Sequence, residues 1–208
     1  MRTPLACSLV LLLAALPLAA STAAYAAESA PSPAPDEEES PLAPTAAPAA
    51  DGFSHFKKGD LSVSAFLGLN LLIPTAGRAN AIFAIMGDGD YHLTNRLSVG
   101  ATLGLGFSDR LFRFDFGPQA KFAVFATGPH YAYARGALTL DILRFFGGGM
   151  GFTAPGVNLQ LGGGYKYFLT DRLSLGADLA LLPSLYFFGG NTSFIFGINV
   201  MAGAEIKI

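Results

Sequence analysis

The chain has 208 residues, with 13 Lys/Arg against 15 Asp/Glu and a formal net charge of −2 at pH 7. That near balance, with no basic stripe, argues against nucleic acid as a partner. Hydrophobic residues make up 51% before the 25 glycines are counted. Yet beyond the N-terminal segment no run reaches the roughly eighteen apolar residues a helical membrane span needs. The single cysteine, Cys7, excludes an intrachain disulfide framework and a thiolate metal site.

Residues 1–26 read as a secretory signal peptide. Met1-Arg2 gives a positive start, an apolar run follows from Leu9 to Ala20, and Ala24-Tyr25-Ala26 is a small-x-small cleavage site. Cys7 precedes the apolar run, so it does not stand where a lipoprotein's acceptor cysteine would. Residues 27–52 change character: from 28 to 52 there are six prolines, many alanines and the acidic run Asp36 to Glu39. Such a segment cannot bury a core and reads as a disordered linker, reaching at most about 75 Å at the polyproline rise. It serves as a spacer or, in the sharper reading, as a tether making periplasmic or cell-wall contact through residues 28–52. Residues 53–208 form one domain with nine acidic and twelve basic side chains.

In that domain the apolar residues alternate. Leu61, Val63, Ala65, Leu67, Leu69, Leu71 and Ile73 fall on one face and Ser62, Ser64, Gly68 and Asn70 on the other. A period of two over a dozen residues is a long strand. The pattern recurs, predicting eight strands near 60–73, 81–93, 97–108, 112–125, 131–143, 156–168, 173–187 and 193–208. An even number of long antiparallel strands joined in order suits an all-β, eight-stranded up-and-down barrel, which leaves no sheet edge open. Volume sets its orientation. The interior of eight strands is barely wide enough for side chains. The Leu/Phe/Ile/Val face is too bulky for it, whereas the face carrying Gly100, Gly104, Gly106, Gly117, Gly162, Gly164 and Gly176 fits. The apolar face therefore points outward, into lipid.

Tyr91–Leu103 (YHLTNRLSVGATL) is nearly repeated at Tyr167–Leu179 (YFLTDRLSLGADL). Both copies read as an aromatic residue, a short polar turn and a new strand, with Asn95 and Asp171 favouring the turn through their own backbone. Tyr91, Tyr131, Tyr133 and Tyr167 at this rim, and Phe107, Phe112 and Phe194 at the other, are the expected interfacial girdle; Arg96 and Arg172 are placed to reach lipid phosphates. The second rim is expected to carry the longer loops. Short turns on one side and longer loops on the other would make the first rim, with both termini, periplasmic.

The strand pattern, the YxLT[ND]RLS[VL]G turns and the export signal together resemble the small eight-stranded outer-membrane barrels of the OmpA, OmpX and OmpW kind, over 53–208. The resemblance implies the outer membrane of a Gram-negative-type bacterium, with lipid including lipopolysaccharide around the wall. The chain departs from it at Ile208, where such barrels usually carry an aromatic residue.

The inward face is expected to hold Asp88, Asp90, His92, Arg113, Asp115, Lys121, Arg135, Asp141, Lys166, Asp178, Glu205 and Lys207. Charges removed from water need partners, so this set reads as an ion-pair network plugging the lumen, with Arg135 answering Asp115 or Asp141. The alternative is a narrow, porin-like channel for small, hydrophobic solutes, which the apolar segments Arg144 to Pro155 and Leu182 to Ser193 would serve as an entry. Some barrels of the resembled kind are lipid-modifying or proteolytic enzymes with active groups near the outer rim. Here His55, His92 and His130 all lie towards the other rim, away from Ser108 and Ser193, so no enzyme is expected. No phosphate loop precedes a helix and no histidine cluster has metal-ligand spacing, so no cofactor is expected either. The function read from the sequence is an integral barrel with a structural or interaction role.

Overall fold

The computed structural model describes residues 55–75, 78–146 and 151–208. The signal segment 1–26 and the linker 27–52 lie outside them. The described residues form β1 (Leu61–Pro74), β2 (Asn80–His92), β3 (Leu97–Phe107), β4 (Leu111–Thr127), β5 (His130–Phe145), β6 (Phe152–Phe168), β7 (Leu173–Phe188) and β8 (Asn191–Lys207). Each strand pairs antiparallel with the next, and β8 closes on β1 from Ser62↔Lys207 to Pro74↔Ile195, so the sheet is a closed barrel. Among the described residues no helix is long and apolar enough to cross a membrane.

Alternation decides which side chains line the inside. On β1, Phe66 is 1% exposed while its neighbour Leu67 is 55% exposed. Every strand presents exposed large apolar side chains, drawn from Leu, Phe, Ile and Val, on its outward face, the arrangement of a wall that meets lipid rather than water. Parity breaks once, in β4, where the register shifts between Ala123 and Phe125. Val124 and Phe125 both face out there, and Ala126 returns inside. A bulge of this kind inserts one residue and re-aims the rest of the strand.

The chain enters and leaves at one rim, called here the terminal rim; the opposite rim is the distal one. The repeated thirteen residues are two copies of one turn at the terminal rim. Leu93 N–H and Thr94 N–H both donate to the Leu97 carbonyl, and Leu169 and Thr170 donate likewise to Leu173. Thr94 Oγ1 accepts from the N–H groups of Arg96 (3.1 Å) and Leu97 (2.9 Å), and Thr170 Oγ1 from those of Arg172 (3.2 Å) and Leu173 (3.0 Å). The threonines, rather than Asn95 and Asp171, supply the side-chain bonds that hold these turns. The backbone carbonyls of Arg96 and Arg172 also play matching parts, accepting from Ala123 N–H and Lys207 N–H on the adjoining strand.

The distal connections are not the long loops that the sequence pattern suggests. β5 and β6 run on until Phe145 pairs with Phe152, and β7 and β8 until Phe188 pairs with Asn191. The last of these connections is Gly189-Gly190, both at positive φ, which glycine adopts without a Cβ clash. The aromatic pairs that looked like loop residues extend the ladder instead. The two rims therefore differ little in loop length, and loop length does not orient the barrel.

Closure at this diameter brings neighbouring backbones close. A Cβ on Gly100 would lie 1.9 Å from the Gly89 carbonyl oxygen, whereas one on Gly89, which faces out, meets nothing within 4 Å. Gly100→Val should therefore lose the folded barrel, read as the heat-modifiable band on a gel. Gly89→Val should keep it within about 0.5 kcal/mol in urea unfolding.

Candidate functional site

The inward side chains fall into bands along the barrel axis. At the terminal rim the pre-strand residue Phe56 turns into the mouth and is 1% exposed. Its ring stacks on His92 (3.9 Å between centroids, 7° between planes) and meets Tyr131 and Phe168 edge-on. His55 stacks on Phe168 in turn. Lys207 Nζ donates to the His55 carbonyl at 2.9 Å and lies 3.6 Å from Asp60, so the end of β8 clasps the segment that enters β1.

Above this seal lies the first charged band. Lys121 Nζ, from β4, lies 2.8 Å from Asp88 and 2.7 Å from Asp90, both on β2. Lys166 on β6 pairs with Glu205 on β8, which also accepts from Ser64 Oγ at 2.7 Å. The Lys166 ammonium lies 4.6 Å from the centre of the Tyr133 ring, a cation–π contact inside the wall. Arg135 bridges the lumen: one guanidinium nitrogen lies 3.4 Å from Asp178 on β7 and 3.8 Å from Asp88. Phe66, Ala84, Met86 and Met201 form the apolar layer beyond.

The second charged band follows. Arg113 donates to Asp141 through Nε at 2.8 Å, a second guanidinium nitrogen lies 2.7 Å from the same carboxylate oxygen as an ion pair, and Nε lies 3.6 Å from Asp115. Tyr186 donates its hydroxyl to Asp141 at 2.6 Å. Gln160 links the bands, donating to Asp115 at 3.0 Å and accepting from Arg135. Leu72, Ile82, Leu111, Leu143, Ala154 and Ile195 close over it.

Two of the girdle residues read from the sequence are misplaced. Tyr131 and Tyr133 are each 4% exposed and point into the lumen. They share the parity of Arg135 on β5, so a strand that aims Arg135 inward cannot aim them at lipid. His130 faces out instead, bonded to the Tyr165 hydroxyl, with Tyr167 beside it. Tyr91, Tyr167, Phe107, Phe112 and Phe194 do lie on the outward face. The partner expected for Arg135 also differs: Asp115 and Asp141 belong to Arg113, and Arg135 answers Asp88 and Asp178.

Lys207 sits at the rim with Asp60, which leaves six carboxylates and four bases inside: Asp88, Asp90, Asp115, Asp141, Asp178 and Glu205 against Arg113, Lys121, Arg135 and Lys166. Neutral donors answer the surplus. Gln119 donates to Asp90 at 3.0 Å, Tyr133 to Asp178 at 2.9 Å, and Gln160 and Tyr186 act as described. No charge marks these four in the sequence; their signal there is inward parity alone.

A cavity of about 20 Å³ lies among Asn70, Met86, Arg113, Asp115, Gln160 and Asn199, roughly the room one water needs. The histidines stand at the terminal rim, whereas Ser108 and Ser193 stand at the distal one.

Neisserial surface protein A, NspA, is similar in structure: its crystal structure matches with a TM-score of 0.60 at 16% identity, over 71% of this chain and 97% of that one. The N-terminal β-barrel domain of Pseudomonas aeruginosa OprF matches with a TM-score of 0.51 at 14% identity, over 73% and 98%. The fold is that of the small outer-membrane barrels. No protein-family model and no curated protein matches the chain, and the structural likeness speaks for the fold alone.

The two kinds of lysine and arginine position differ in what their loss exposes. Arg135→Ala strands Asp88 and Asp178 in the lumen and should cost about 3 to 5 kcal/mol in urea unfolding. Lys207→Ala, at the wetter rim, should cost less than about 1 kcal/mol.

Proposed function

We propose that this chain is an integral outer-membrane barrel with a structural or interaction role, its lumen plugged by ion pairs and catalysing no turnover. The supporting observation is the filled interior: two paired charge bands between an aromatic seal at Phe56 and an apolar layer at Leu143. An ion crossing this interior would have to displace Arg135 from two carboxylates and Phe56 from its stack.

In this reading residues 1–26 are the export signal and 27–52 the linker. Residues 53–208 form the barrel, surrounded by outer-membrane lipid including lipopolysaccharide. The terminal rim is periplasmic, so that 28–52 can reach a periplasmic or cell-wall partner and act as a tether. Tyr91, Tyr167, Phe107, Phe112 and Phe194 form the interfacial girdle, and Arg96 and Arg172 lie within reach of lipid phosphates.

The refolded barrel in a planar bilayer should pass no steady current, while folded protein is recovered from the same membrane. Discrete, stable conductance steps would contradict the plug and favour a channel.

A further inference from the structure

The distal mouth is shaped differently from the terminal one. Where Phe56 seals the terminal rim, the distal rim opens into a bowl of about 340 Å³, within the range of small-ligand sites. Its aromatic wall is Phe145, Phe152 and Phe188: Phe145 and Phe152 stack at 5.3 Å, and Phe188 lies 5.1 Å from Phe152. Leu111, Leu143 and Ile195 complete the apolar lining. The floor is closed, since Leu143, Ala154 and Tyr186 are all 0% exposed and Tyr186 is bonded to Asp141 beneath.

The polar part of the bowl is cationic. Arg78, Asn80 and Ser193 line it. The charged residues at the distal rim are Arg78, Asp109 and Arg110 in the connections and Arg144 near the end of β5. Asp109 pairs with Arg110, and Arg144 lies over the Phe146 ring. Among the described residues no carboxylate pairs with the Arg78 guanidinium. An apolar blind pocket lined by Arg78, whose guanidinium pairs with no carboxylate among the described residues, is complementary to a molecule with an apolar body and an anionic end.

We infer that the distal bowl is a binding site for a single-chain amphipathic anion, a medium- or long-chain carboxylate, whose chain lies against Phe145, Phe152 and Phe188 and whose carboxylate pairs with Arg78. The site holds its ligand without passing it on, because the floor is the apolar layer over the Arg113–Asp141 band. It is compatible with a plugged lumen and does not depend on it.

The test uses the full barrel in zwitterionic phospholipid nanodiscs with labelled Ile and Leu methyl groups. Decanoate, decanol and decyltrimethylammonium are titrated in turn. Decanoate should give saturable shifts at the Ile195, Leu143 and Leu111 methyls, and Arg78→Gln should weaken it about tenfold, as loss of a charge-assisted hydrogen bond does. Decanol should bind more weakly and be indifferent to that substitution, and the ammonium compound should not saturate. Ile195→Trp, which fills the bowl, should abolish all bowl shifts while the outward methyls of Ile85 and Ile206 still report the bilayer. Shifts confined to Ile85 and Ile206, or a decanoate affinity unchanged in a folded Arg78→Gln barrel, would overturn the inference.

Discussion

Eight strands enclose an interior barely wide enough for side chains, so every charge aimed inward must find its partner inside the wall. The rest of the molecule follows from that constraint. Glycine and alanine take the inward positions where strands approach closely. Gln119, Gln160, Tyr133 and Tyr186 are inside because six carboxylates and four bases do not balance by themselves. The partners come from different strands: Lys121 on β4 reaches β2, Lys166 on β6 reaches β8, and Arg135 on β5 reaches both β2 and β7. The network therefore ties together strands that share no backbone hydrogen bonds. A buried ion pair is weak evidence for net stability, since desolvation opposes the attraction. Its effect here is one of specificity, because a slip of one residue in β2 or in any of β4 to β8 would turn its inward charges towards lipid.

The two mouths are asymmetric in a way that the walls are not. At the terminal rim a segment outside the sheet supplies the seal, with Phe56 filling the space between His92, Tyr131 and Phe168. At the distal rim the strands themselves extend, and their inward aromatics line a bowl rather than meeting across it. One end thus carries a ring stack and the other is concave, with the two charged bands between them.

Much of the wall was legible in the sequence, because a period of two records which face meets lipid. β3, expected at 97–108, is Leu97–Phe107, and β1, expected at 60–73, is Leu61–Pro74. The strand ends at the distal rim were less legible, since Phe145, Phe152 and Phe188 look alike as loop or strand until their partners are known. For Tyr131 and Tyr133 composition and parity disagree: tyrosine near a rim suggests a girdle, while Arg135, four and two residues on, fixes their side as inward. The pairings inside the lumen were not legible. They depend on how strands two or three apart face each other across the barrel, which the stagger of the closed sheet sets and local pattern does not record. Phe56 was missed for a related reason, as it precedes the first strand and belongs to no periodic pattern.

The central claim is that the lumen is filled and closed to water, and cysteine accessibility tests it most directly. Cys7 is the sequence's single cysteine, so replacing it leaves a background without thiols. Thr139 is 1% exposed and points inward between the charged bands. In a chain carrying Thr139→Cys and lacking Cys7, a small charged methanethiosulfonate reagent should leave the thiol unmodified while the barrel is folded in lipid bilayers, and modify it fully once the barrel is unfolded in urea. Modification of the folded barrel at a rate near that of an exposed thiol would mean that water and ions reach the centre, and would contradict the account.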